Sequence, residues 1–197
     1  MKIQKCFVND AHYMKKWKYI MFIIFAIGIC GGTIYSVFLN QEADKSLGGY
    51  LMSYFDNIST VNGLLKNSLI DWLRLFIIIF ICSFVRLGVV PIMGAVFMKG
   101  FVTGFTSACF VKYFDSAGML ASVATLPVII LYLPALIIFS SGAIIFSINR
   151  YRNDKIKFYR FLLLSFCCLT IFCVVAFADA FLTTTFMKFF APIIVAK

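Results

Sequence analysis

Few residues in this chain could do chemistry. The 197-residue sequence has a single histidine, His12, a single glutamate, Glu42, and seven cysteines. With so little histidine, a metal centre would need carboxylates or thiolates at ligand spacing, and no such cluster is present. Cys6, Cys30, Cys82, Cys109, Cys167, Cys168 and Cys173 form no C-x-x-C pair, and all but Cys6 lie inside apolar runs. They read as free thiols acting as small apolar residues. His12 belongs to a basic segment and reads as an exposed tail residue. There is no nucleophile elbow, phosphate-binding glycine loop or pair of glutamates. An intramembrane protease or transferase would need at least two polar catalytic groups at matching depth. The sequence therefore argues against an enzyme and implies no cofactor.

Two charges do interrupt apolar sequence, Arg86 and Lys99. Near mid-bilayer an arginine costs about 2.5–3.5 kcal/mol on insertion scales, so it must snorkel, pair or face water. The acidic residues closest to the expected spans are Asp71, Asp115 and Asp179, all on the outer side. Arg86 is thus either a structural pairing or snorkelling group, or part of a partner contact or polar cavity. Lys99 reads as a simple anchor at an inner membrane boundary.

The elements that must position these residues follow from composition. Of all residues 62% are hydrophobic and 13% charged, Phe alone numbers 24, and mean hydropathy is +0.98. A soluble domain of this length could not hide that much apolar surface. The fold class is an all-α polytopic membrane protein with about five transmembrane helices, the central ones bent at Gly and Pro, and short amphipathic outer segments.

Charge sets the topology. Lys2, Lys5, Lys15, Lys16 and Lys18 less Asp10 give +4 in residues 1–18. Arg150, Arg152, Lys155, Lys157 and Arg160 less Asp154 give +4 in residues 150–160. Together they hold eight of the ten net charges, beside apolar runs, as positive-inside signals do. No nucleic-acid partner is implied; the bilayer is the partner of this charge. Residues 40–71, with four acidic and two basic residues, belong outside. The expected spans are 19–39, 72–98, 100–116, 120–149 and 161–178, with 179–197 as an outer tail. The apolar part of the first is too long for a secretory signal, and no cleavage site follows it. The third, at about 1.5 Å per residue, is short for a crossing.

The centre is irregular. Pro91 is expected to kink its helix, and Pro127 and Pro134, two turns apart, to bend the fourth span or delay its start. Gly100, Gly104 and Ala108 form a small-residue ladder at four-residue spacing, as do Gly28 and Gly32, which lets backbones approach closely. The ladder serves packing within this chain or an interface in a homo-oligomer. Outside the spans, Leu47, Tyr50, Leu51, Tyr54 and Phe55 suggest a short amphipathic helix. The tail places four Phe residues around a weakly charged helix expected to end before Pro192 and to lie on the membrane surface.

These motifs carry a resemblance. A glycine–proline turn (Gly88, Pro91), FMKGFVTGFT from Phe97 to Thr106, Gly118 and SVATLP from Ser122 to Pro127 resemble the stage II sporulation protein M family. The match extends to LPAL at Leu133–Leu136, to the serines and basic loop that follow, and to FADAFL after the last span. With the first span's glycines it covers nearly the whole chain. Where family members often carry polar residues after the Leu-Pro, this chain has Val128 and Ile129. The resemblance implies a scaffold in the mother-cell septal and engulfing membrane of endospore-forming bacteria. Such a scaffold holds two wall hydrolases, stage II sporulation proteins D and P. The competing expectation is a channel- or transporter-like subunit acting as an oligomer, since broken helices with an intramembrane charge also mark permeation paths. Against it, the chain has no evident internal repeat and few spans.

Overall fold

The computed structural model describes residues 2–39, 49, 61–85, 87–149 and 155–195. They form α1 (Lys2–Val37), α2 (Val61–Ser83), α3 (Val89–Asn149) and α4 (Lys155–Val195). Four segments are long and apolar enough to cross a membrane: Met14–Val37, Val89–Tyr113, Leu126–Ile148 and Phe158–Phe181. The architecture is that of an all-α polytopic membrane protein, as the composition requires. The basic N-terminal segment is helical and continuous with the first span. The C-terminal tail extends the last helix past Pro192, where the sequence suggested a stop. The amphipathic stretch expected over Leu47–Phe55 lies outside the described residues.

Helix α3 is helical throughout its 61 residues and yet cannot be straight. The Ser122 hydroxyl donates to the Ser107 carbonyl at 3.1 Å, although 15 residues of straight helix would separate them by about 22 Å. The Thr103 and Tyr132 hydroxyls, 29 residues apart, also meet at 3.1 Å. The helix therefore doubles back between Ser107 and Ser122. Its outgoing limb is Val89–Tyr113 and its returning limb Leu126–Ile148. Pro127 and Pro134 both lie within the returning limb, on its exposed side.

The block between Leu75 and Val111 is divided at Phe84–Gly88, and not at Lys99. Gly88 N–H donates to the Val85 carbonyl at 3.0 Å, and Ile92 N–H to the Gly88 carbonyl at 3.1 Å, closing one turn and opening the next helix. A Cβ on Gly88 would collide with the Cys82 carbonyl oxygen, so only glycine fits this turn. From the returning limb, Ser147 donates to the Val85 carbonyl at 2.6 Å and ties the turn to the bundle. Pro91 falls in the first turn of α3, where its missing N–H would have had no intrahelical partner. It starts a helix instead of kinking one. The segment expected as a single span over 72–98 thus holds the end of α2 and the beginning of α3. The outgoing limb gains eight residues over the short crossing expected at 100–116 and reaches 25.

Two kinds of packing hold the helices. Along α1 and the outgoing limb the contact is backbone to backbone. A Cβ on Gly28 would sit 2.5 Å from the Phe97 carbonyl oxygen, and one on Gly100 2.5 Å from that of Phe25. Cβ atoms on Gly32 and Gly104 would overlap the Phe101 and Ile29 carbonyls. Both glycine ladders are spent on this seam within one chain. Between α2, the returning limb and α4 the contact is aromatic. Phe76 stacks on Phe139 at 4.8 Å, and Phe146 on Phe161 at 4.4 Å. Phe84 meets Phe146 and Phe158 edge-on where α2 ends. Offset and edge-to-face pairs of this kind add to simple contact.

Helix α2 is not among the four apolar segments because Lys66, Asp71 and Arg74 interrupt it. Its inward residues nonetheless belong to the core, with Trp72 and Ile79 buried.

Candidate functional site

A cluster of ionisable and polar groups inside the bundle centres on Lys99. It stands midway along the outgoing limb, ten residues from its start, and not at a membrane boundary. The Lys99 Nζ lies 4.0 Å from the centre of the Trp72 ring and 5.8 Å from that of Tyr132. An ammonium over an indole face is drawn to the ring's negative quadrupole, worth about 2 kcal/mol when desolvated. A lysine at this depth needs such partners, because lipid supplies neither counter-charge nor hydrogen bonds.

Each partner comes from a different element. Trp72 projects inward from α2, because Ser68, Trp72, Phe76, Ile79 and Ser83 recur at three- and four-residue steps along one face. Its indole stacks on Phe172 of α4 at 5.4 Å and meets Tyr132 of the returning limb at 4.7 Å. Tyr132 in turn packs edge-on against Phe25 of α1 at 6.3 Å. The Tyr132 and Thr103 hydroxyls share their hydrogen bond across the two limbs of α3, while Thr103 also donates to the Lys99 carbonyl at 2.8 Å. Ser68 donates to Asp179 Oδ2 at 3.1 Å, joining α2 to α4. All the helices converge here. Among the described residues no buried side-chain nitrogen or oxygen lacks a hydrogen-bond partner.

The arrangement fits a structural polar node. The Asp179 carboxylate accepts from Ser68, the Thr103 and Tyr132 hydroxyls bond each other, and the Trp72 and Tyr132 rings face the Lys99 ammonium. Among the described residues no group of three His, Cys, Asp or Glu side chains could hold a metal ion. A nucleophilic or basic amine needs open space for a substrate; this one rests on an indole.

The residues singled out from the sequence divide accordingly. Lys99 and Asp179 enter the node, and Gly100 and Gly104 build the seam beside it. Gly88 and Pro91 form the turn below it, while Pro127 and Pro134 face outward. Arg86 lies outside the described residues. Val128, where the family pattern led to polar residues, is buried among apolar neighbours. Trp72, Tyr132, Thr103, Ser68 and Arg74 were not singled out. For Ser68 and Trp72 the signal was present as the inward stripe of α2. For Tyr132 and Thr103 no local signal exists, since their pairing depends on how sharply α3 folds back. Cys109 and Cys168 are buried and Cys30 and Cys167 are exposed.

Comparison with curated proteins and with solved structures returned no match. The family model described as stage II sporulation protein M matches residues 21–184, from within the first span to beyond the end of the last. That match takes in both glycine ladders, the turn at Gly88, every residue of the Lys99 node and the folded-back α3. The chain belongs to the stage II sporulation protein M family.

Proposed function

We propose that this protein is a non-catalytic membrane scaffold that localises peptidoglycan hydrolases, stage II sporulation proteins D and P, to the septal membrane for forespore engulfment. Family membership supplies the process, sporulation, and the apolar helices supply the location, a membrane. The observation that carries the scaffold reading is the commitment of Lys99. The intramembrane amine is seated on Trp72 and surrounded by groups that join helices. A frame of this kind fixes positions and asks no reaction of its polar groups.

The contacts for the hydrolases are the wall-side parts of Asn40–Asp71 and Asp179–Lys197, outside the residues that enter the node and the charged stripe of α2. Weak contacts suffice there, because confinement in one membrane raises the effective concentration of partners. The test combines charge reversal at Asp56 with truncation after Ala180, and images fluorescent fusions of both hydrolases. The expected result is hydrolases that digest purified wall normally but no longer concentrate at the septum, while the scaffold stays in the membrane. Continued septal focusing with normal engulfment would move recruitment onto the transmembrane helices. Solute or ion flux through purified protein in liposomes would replace the scaffold reading with a transport one.

A further inference from the structure

The inward side of α2 builds the node, and its outward side presents a second set of charges. Asn67, Asp71 and Arg74 recur at four- and three-residue steps on one exposed stripe, bordered by Ile70, Ile77 and Ile81, also exposed. Their depth is fixed by their neighbours. Arg74 lies between Trp72 and Phe76, which stack on Phe172 and Phe139. Those two rings stand near the middles of Phe158–Phe181 and Leu126–Ile148. An arginine and an aspartate thus face outward at the level where the neighbouring spans face lipid. Charges at that depth characteristically face a bundle interior or pair with one another. Among the described residues no carboxylate bonds Arg74.

We propose that this outward face of α2 is the contact between two copies of the chain. The stripe is its own complement. The two copies share one orientation in the membrane, so a two-fold axis along the bilayer normal sets their α2 helices parallel and at equal depth. Opposite charges three residues apart then meet reciprocally, Arg74 of each copy reaching across one turn to Asp71 of the other. Arg suits this role, since its planar fork grips a carboxylate through two hydrogen bonds. The flanking isoleucines supply the apolar contact on either side. The glycine ladders that the sequence offered as an oligomer interface are already occupied within one chain, which removes them as the face for a second copy.

The test uses the full-length protein in intact membranes, with two differently tagged copies co-expressed and a photo-crosslinking residue placed at Ile77 or, as a control, at Ile23. The two positions are comparably exposed, at 49% and 56%, but lie on different helices. The expected result is an adduct carrying both tags from Ile77 and none from Ile23. Arg74→Asp and Asp71→Arg should each reduce that adduct at least tenfold. The double exchange Asp71→Arg with Arg74→Asp should restore it, an outcome that misfolding cannot produce. Equal crosslinking from Ile23, an adduct to a different protein, or loss that the double exchange does not rescue would overturn the proposal.

Discussion

The glycine seam and the Lys99 node lie on neighbouring faces of the same outgoing limb and hold it by opposite means. At the seam, Gly28, Gly32, Gly100 and Gly104 remove side chains so that two backbones touch. At the node, polar and aromatic side chains bridge the helices instead. The difference follows from the solvent. Lipid gives apolar helices little reason to associate through side-chain burial alone, so they associate by close packing or by polar groups that lipid cannot satisfy. A seam of the first kind tolerates almost no added volume. A node of the second kind shares its load among several weak contacts and degrades gradually.

Substitutions should separate the two, and thermal unfolding of the full-length protein in detergent reads each one. The largest effect belongs to the seam. Gly104→Leu drives a side chain into the Ile29 backbone and should destabilise by about 3 kcal/mol or more, beyond ordinary overpacking. Val102→Leu, at a position 49% exposed one turn face away, should stay within about 0.5 kcal/mol of the parent. Equal behaviour of the two would mean that the seam faces lipid. Next, Trp72→Leu removes the indole shared by Lys99, Tyr132 and Phe172 and should cost about 2 kcal/mol. Lys99→Met keeps the side-chain length, loses the ammonium–indole attraction and should cost about 1 kcal/mol. Ser68→Ala, which deletes the bond to Asp179, should cost about 1 kcal/mol or less. A node that collapsed as abruptly as the seam under any one of these changes would erase the contrast.

The two regions were unequally legible in the sequence. Four-residue spacing showed each glycine ladder as a face, but spacing does not say which face meets which, so their mutual engagement came only from the fold. The node was misread because the apolar block was divided at its charges. Lys99 was taken as a boundary, whereas the chain turns at Gly88 and carries Lys99 midway along the next span. The cue was Gly88 with Pro91, a close-packed turn followed by a proline in a first helical turn, which outranks charge as a mark of where a helix begins. Trp72 was hidden for a different reason. In a chain with 24 Phe, no single aromatic stands out until a cation is found above it.

The central claim is that the intramembrane amine holds the frame together and performs no reaction, and engulfment in a Lys99→Met strain tests it most directly. With the variant present in the membrane at parental level, both hydrolases should still concentrate at the septum and the forespore should be engulfed. Engulfment that stops under those conditions, with the hydrolases correctly placed, would show that the ammonium of Lys99 does chemistry the scaffold account denies.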